Sequence, residues 1–85
     1  MAWFVYLLEC ADGSLYCGVA TDLERRIAEH NGEAPGGAKY TRGRRPVRLA
    51  ASATCPDRAS ACRLERLVKR HPRSRKTSFL AGWTG

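Results

Sequence analysis

An Asp12-Gly13 step between two apolar runs restricts the fold of this chain more than any other feature. Trp3 to Cys10 is rich in aromatic and branched residues and carries no polar side chain before Glu9, the pattern of a buried strand. Leu15 to Val19 repeats that pattern. Asp-Gly between two such runs is among the strongest short-range hairpin signals, so the two strands are expected to pair antiparallel.

The remainder reads as helices around a third strand. Thr21-Asp22-Leu23-Glu24 offers a capping box, with Thr21 as N-cap and Glu24 three residues on. Leu23 and Ile27 make one apolar stripe, and Asn31-Gly32 should end that helix near His30. Glu33 to Gly43, with Pro35, Gly36 and Gly37, reads as a loop. Val47 to Thr54 resembles a strand thinned by alanines. Asp57 is a plausible N-cap for a second helix, with Ala61, Leu64, Leu67 and Val68 on its apolar face and Pro72 beyond its end. Glu65 borders that face. Ser74 to Ala81 predicts a short basic helix closed by Gly82. The order β-β-α-β-α(-α) predicts an α+β fold, a small three-stranded antiparallel sheet flanked by helices, with residues 1–85 as one domain. Eighty-five residues bury only about 60% of the surface of the unfolded chain, so the core is thin.

Charge narrows the partner. Fifteen Lys+Arg against eight Asp+Glu give +7, unevenly spread. Residues 1–40 hold three basic and six acidic side chains, net −3; residues 41–85 hold twelve and two, net +10. A polyanion, nucleic acid ahead of an anionic membrane, is the expected partner, met mainly by the second half. Lys39-Tyr40-Thr41-Arg42-Gly43-Arg44-Arg45 joins basic residues to one aromatic, a combination that contacts phosphates and stacks a base. Lys69, Arg73, Arg75 and Lys76 extend the positive surface.

The four cysteines, Cys10, Cys17, Cys55 and Cys62, form no C-x-x-C pair, and neither His30 nor His71 lies at zinc-finger spacing. The Trp3–Leu8 run has no basic flank and is too short for a secretory signal or a bilayer span. The cysteines are therefore expected to be reduced packing residues in a cytoplasmic protein.

Val5-Tyr6-Leu7 on the first strand and Tyr16-Cys17-Gly18 on the second stand ten residues apart, tyrosine to tyrosine. Arg26 follows ten residues later and His30 fourteen, on the capped helix, with Glu65 on a later helix. This constellation resembles the GIY-YIG nuclease superfamily, which includes the N-terminal nuclease domain of UvrC and the phage homing endonucleases. The small stand-alone YhbQ-like members are the nearest match in size and in the phrase LYCGVATDLERRIAEH. The resemblance spans Trp3 to about Leu80. It implies the GIY-YIG fold and metal-dependent hydrolysis of phosphodiesters, DNA most of all, in repair or processing. By that resemblance Tyr16 is the general base, Arg26 grips the phosphate, and Glu65 ligates one divalent ion, Mg²⁺ or Mn²⁺. Tyr6 and His30 line the site. A free tyrosine is a poor base at neutral pH, so this role demands nearby positive charge.

Such a site requires Tyr6 and Tyr16 on one sheet face. A two-residue turn at Asp12-Gly13 would pair Cys10 with Leu15 and place the rings on opposite faces. A three-residue loop over Asp12–Ser14 pairs Cys10 with Tyr16 and places them together, so an odd-length loop or a bulge is expected. The chain departs from the pattern in places. Only the tyrosine of the first motif is kept, Cys17 occupies the middle of the second, and Val19 stands where some relatives carry lysine. Two other readings compete: a nucleic-acid binding module with the fold but little catalysis, and a protein-interaction domain with incidental charge. A separate partner is expected to supply targeting.

Overall fold

A computed structural model describes residues 2–84. The elements run β1 (Trp3–Glu9), β2 (Leu15–Ala20), α1 (Leu23–His30), α2 (Lys39–Arg42), β3 (Arg48–Cys55), α3 (Arg58–Arg70) and α4 (Arg73–Ala81). The sheet is three-stranded and antiparallel, as the element order predicts, and its strands lie in the order β2-β1-β3. No helix among the described residues is long and apolar enough to cross a membrane.

The hairpin settles the parity question. Leu8 lies opposite Tyr16 and Tyr6 opposite Gly18, so both tyrosines share a face. Cys10 N–H donates to Ser14 O at 2.8 Å, and Gly13 N–H donates to Cys10 O at 2.9 Å. The loop is therefore Ala11–Gly13, odd in length as expected but one residue earlier than Asp12–Ser14. Gly13 explains the shift. Its φ of +83° supplies the left-handed residue that closes a three-residue hairpin.

The sheet separates two cores, because successive side chains on β1 point to opposite faces. Tyr6, Leu8, Cys10 and Val47 pack beneath α1, against Leu23 and Ile27. Val5, Leu7, Cys17, Ala51 and Cys55 pack against Ala61, Leu64 and Val68 of α3 and Leu80 of α4. The alanines that weaken β3 as a sequence signal allow α3 and α4 to settle close to the sheet. Cys10, Cys17 and Cys55 are buried, and all four thiols are free.

Local departures have local causes. The N-cap of α1 is Asp22, which accepts from Arg25 N–H at 3.1 Å, and not Thr21. The carboxylate brings charge as well as an acceptor to the positive helix end, so it outcompetes the neighbouring hydroxyl. The segment read as a loop contains the helical turn α2. β3 begins at Arg48 because Val47 is held elsewhere. The Asn31 side chain takes Val47 N–H at 2.7 Å and donates to Val47 O at 3.0 Å. Leu67 is exposed, at the edge of an α3 stripe made by Ala61, Leu64 and Val68. Asp57 caps α3 as expected, accepting from Ser60 N–H at 2.7 Å. Gly82 closes α4, which starts at Arg73 directly after Pro72.

Candidate active site

On the α1 face three rings converge. Tyr6 and Tyr16 lie 6.4 Å apart between centroids, and the His30 ring is 5.8 Å from the first and 5.0 Å from the second. The strand register presents the tyrosines, and the last turn of α1 presents His30. Tyr6 Oη and His30 Nε2 are hydrogen-bonded at 2.9 Å, with both residues fully buried. Tyr16 is partly exposed, and its hydroxyl has no hydrogen-bond partner among the described residues. Tyr40 of α2 covers its ring at 5.6 Å, and the Arg44 guanidinium lies 4.1 Å from the Tyr40 centroid.

Arg26 is aimed by two contacts from Nη1, to Glu29 Oε1 at 2.8 Å and to Gly36 O at 2.6 Å. Close approach at Gly37 makes the second contact feasible: a Cβ there would lie 3.1 Å from the carbonyl carbon of Glu29. The rest of the guanidinium faces Tyr6 and solvent. It borders a shallow hollow with Val19 and Asp22, separate from the cleft that holds Tyr16.

Glu65 reaches the site from the other face of the sheet. Because β2 is an edge strand, α3 can present Glu65 around that edge, toward Tyr16. A cleft of about 280 Å³ is lined there by Tyr16, Cys17, Tyr40, Glu65, Lys69 and Lys76, among others. Glu65 Oε2 meets Lys69 Nζ at 3.2 Å. Among the described residues no three His, Cys, Asp or Glu side chains gather to enclose an ion. A lone half-buried carboxylate beside open space suits a hard cation that keeps most of its water and takes further oxygens from a substrate phosphate. It does not suit a closed site made of protein ligands.

Burial tunes these groups. It pushes the Tyr6 phenol up to about 12, partly offset by the Arg26 guanidinium beside it. It pushes the His30 imidazole down to about 4, helped by the Arg26 and Arg45 charges. The Cys17 thiol rises to about 11 through burial and the nearby Glu65 carboxylate. The Arg26 contact holds the Glu29 carboxyl below its usual range. Burial therefore keeps the His30 imidazole neutral at pH 7. A stability prediction follows. The unfolded imidazole takes up a proton near pH 6.5, whereas the folded one resists until about 4. This part of the stability is intact above pH 6.5 and is lost as pH falls toward 4, by about 3 kcal/mol in total. Urea midpoints of wild type and His30→Gln between pH 4 and 7 check this: the wild-type midpoint should fall more steeply.

The basic residues divide in two. Lys39, Arg42 and Arg75 are exposed and make no ion pair among the described residues. Others serve the fold. Arg44 pairs with Asp12 at 3.0 Å, Arg45 Nε donates to His30 O at 2.7 Å, and Arg73 donates to Gly13 O. Lys76 Nζ donates to Val68 O at 3.0 Å and to Lys69 O at 3.1 Å at the end of α3. Thr41, bonded to His30, and Glu29, bonded to Arg26, also build the site, and sequence reasoning gave neither a role there.

A profile of the GIY-YIG catalytic domain matches residues 2–78. The chain belongs to the GIY-YIG family. It is 49% identical over 79 residues to a UPF0213 protein of Desulfotalea psychrophila, covering 93% of this chain and 71% of that one. It is 51% identical over 79 residues to a UPF0213 protein of Nitratidesulfovibrio vulgaris, covering 93% and 70%. The solution structure of a Bacillus halodurans UPF0213 protein superposes with a TM-score of 0.57 at 46% identity, covering 95% of this chain and 84% of that one. An E. faecalis protein superposes with a TM-score of 0.64 at 36% identity, covering 94% and 83%. The family fold expected from the two motifs is therefore present. The glycine of the second GIY-YIG motif has a clear reason here: a Cβ on Gly18 would lie 2.6 Å from Tyr6 Cζ.

Proposed function

We propose that this GIY-YIG protein is a divalent-metal-dependent endonuclease that hydrolyses phosphodiester bonds of DNA in repair or processing. One observation carries the reading. A tyrosine hydroxyl without a partner among the described residues, that of Tyr16, and a half-buried carboxylate, that of Glu65, line one cleft together with Lys69 and Lys76. In the proposed hydrolysis Tyr16 Oη receives the proton of the attacking water, Arg26 holds a phosphate oxygen with its fork, and Glu65 holds the metal. The ion, Mg²⁺ or Mn²⁺, would neutralise phosphate charge and assist the leaving oxygen. Tyr6, buried with a raised pKa, keeps its proton and orients the site. Lys39, Arg42 and Arg75 add phosphate contacts at the exposed surface.

The test is a cleavage assay on plasmid, nicked, flap and single-stranded DNA with Mg²⁺ or Mn²⁺, beside Glu65→Gln and Arg26→Ala. Cleavage that needs the metal and falls by about 10²-fold or more in both variants supports the reading. Salt-sensitive binding without any cleavage would assign the chain to the binding modules instead. Neither binding nor cleavage would overturn both.

A further inference from the structure

Behind the two tyrosines runs a buried chain of polar contacts that the proposed chemistry leaves unused. Tyr6 Oη meets His30 Nε2 at 2.9 Å, His30 Nδ1 meets Thr41 Oγ1 at 2.9 Å, and Thr41 Oγ1 meets Ala38 O at 2.9 Å. Tyr6, His30 and Thr41 are all essentially without solvent exposure, and no buried side-chain polar atom among the described residues lacks a partner.

The directions of these bonds can be deduced. The buried Tyr6 hydroxyl must place its proton on an acceptor, and His30 Nε2 is the acceptor in reach among the described residues. Nε2 is then unprotonated, and the one proton of the neutral imidazole sits on Nδ1. Nδ1–H donates to Thr41 Oγ1, whose own hydroxyl proton goes to Ala38 O. The side-chain donors of the chain all find acceptors, and the one bond this tautomer gives up is the long contact from Ala38 N–H to Nδ1, at 3.4 Å. The opposite tautomer would leave the Tyr6 proton without an acceptor. It would also set the Nδ1 lone pair against a Thr41 oxygen that donates to Ala38 O.

We propose that Thr41 is a positioning residue of this site: by accepting from His30 Nδ1–H it fixes the imidazole tautomer and makes the Tyr6 hydroxyl a committed donor. The Tyr6 oxygen then offers only lone pairs to the site, on the side of the Arg26 guanidinium. Thr41 belongs to α2, whose preceding residue Tyr40 packs on Tyr16. Two consecutive residues of this basic turn thus hold both tyrosines, while Lys39 and Arg42 on the same turn face solvent. That Ala38 N–H, already directed at Nδ1, is the donor that favours the opposite tautomer once Thr41 loses its hydroxyl.

The consequence for catalysis rests on the nuclease reading; the tautomer itself does not. Nitrogen-15 NMR of His30 in the intact protein at pH 7 is expected to show a protonated Nδ1 and an acceptor Nε2. In Thr41→Val, equal in shape but without the hydroxyl, the proton should move to Nε2. Thr41→Ser should restore the wild-type pattern. A wild-type Nε2–H signal, or a folded Thr41→Val that keeps Nδ1–H, would overturn the proposal. If Thr41→Val does not fold, the wild-type and Thr41→Ser spectra still decide it. Should the protein cut DNA, Thr41→Val is expected to lower kcat by about 10- to 100-fold with KM unchanged, and Thr41→Ser to recover it. A folded Thr41→Val with wild-type kcat would overturn the positioning role. An absence of cleavage in the wild type would sink the nuclease reading and leave the tautomer measurement standing.

Discussion

Tyr16→Phe is expected to lower the single-turnover DNA cleavage rate by about 10²- to 10⁴-fold while moving stability by less than about 0.5 kcal/mol. Both halves follow from the surroundings of one oxygen. The Tyr16 hydroxyl has no partner in the fold among the described residues, so its removal orphans nothing. The ring contacts to His30 and Tyr40 survive in phenylalanine. Tyr6→Phe should behave in the opposite sense. It deletes a buried hydrogen bond and leaves His30 Nε2 without a donor, at a cost of about 1–3 kcal/mol. Cleavage rates, DNA affinity and urea midpoints of the two variants check the contrast. A Tyr16→Phe protein that cuts at the wild-type rate would remove Tyr16 from the chemistry.

Gly18→Ala should be the most damaging one-carbon addition within β2. The new methyl would sit 2.6 Å from Tyr6 Cζ and closer still to its hydroxyl, well inside van der Waals contact. An exposed long side chain would swing aside. Tyr6 has no such freedom, because its ring is buried and its hydroxyl is tied to His30. Either β1 and β2 separate or the Tyr6–His30 bond breaks. Overpacking together with a broken buried bond amounts to about 3 kcal/mol. For a chain of this length that lowers Tm by about 15 °C, measurable by thermal melts followed by circular dichroism. Cys17→Ala, one residue away on the opposite face, is the control for general sensitivity of β2. It opens a small void in place of a clash, and should cost about 1 kcal/mol.

The sequence is informative about this fold where the determining interactions are local. The Asp12-Gly13 turn, the caps at Asp57 and Gly82, and the end of α1 at Asn31 all depend on neighbours within a few residues. The helical turn α2 was illegible because four residues in a Gly- and Pro-rich segment show no periodicity. Thr21 and Asp22 can both cap by residue type, and the fold uses the carboxylate, whose charge suits the positive helix end. Leu67 looked buried because helical spacing does not reveal how wide a stripe the sheet covers.

For the site, the family resemblance named Tyr6, Tyr16, Arg26, His30 and Glu65, but residue type could not show their surroundings. Their roles depend on solvent and on distant partners. Tyr6 and His30 are 24 residues apart, and His30 and Thr41 are 11 apart. Burial makes Tyr6 a retained proton and His30 a neutral acceptor, while the same kind of residue at Tyr16 is left open. Arg45 and Lys76, basic residues that composition assigns to a nucleic-acid surface, place donors on helix-end carbonyls once the chain is folded.

The chain by itself thus determined the hairpin, its odd loop, the two-sided sheet and the family motif, because turn chemistry and alternation act within a few residues. Tertiary structure alone decided that Glu65 and Tyr16 line one cleft at the edge of β2. It alone decided which tyrosine is buried against a hydrogen-bond partner and which is left open, because desolvation and hydrogen-bond partners are properties of packed surroundings, not of residue type.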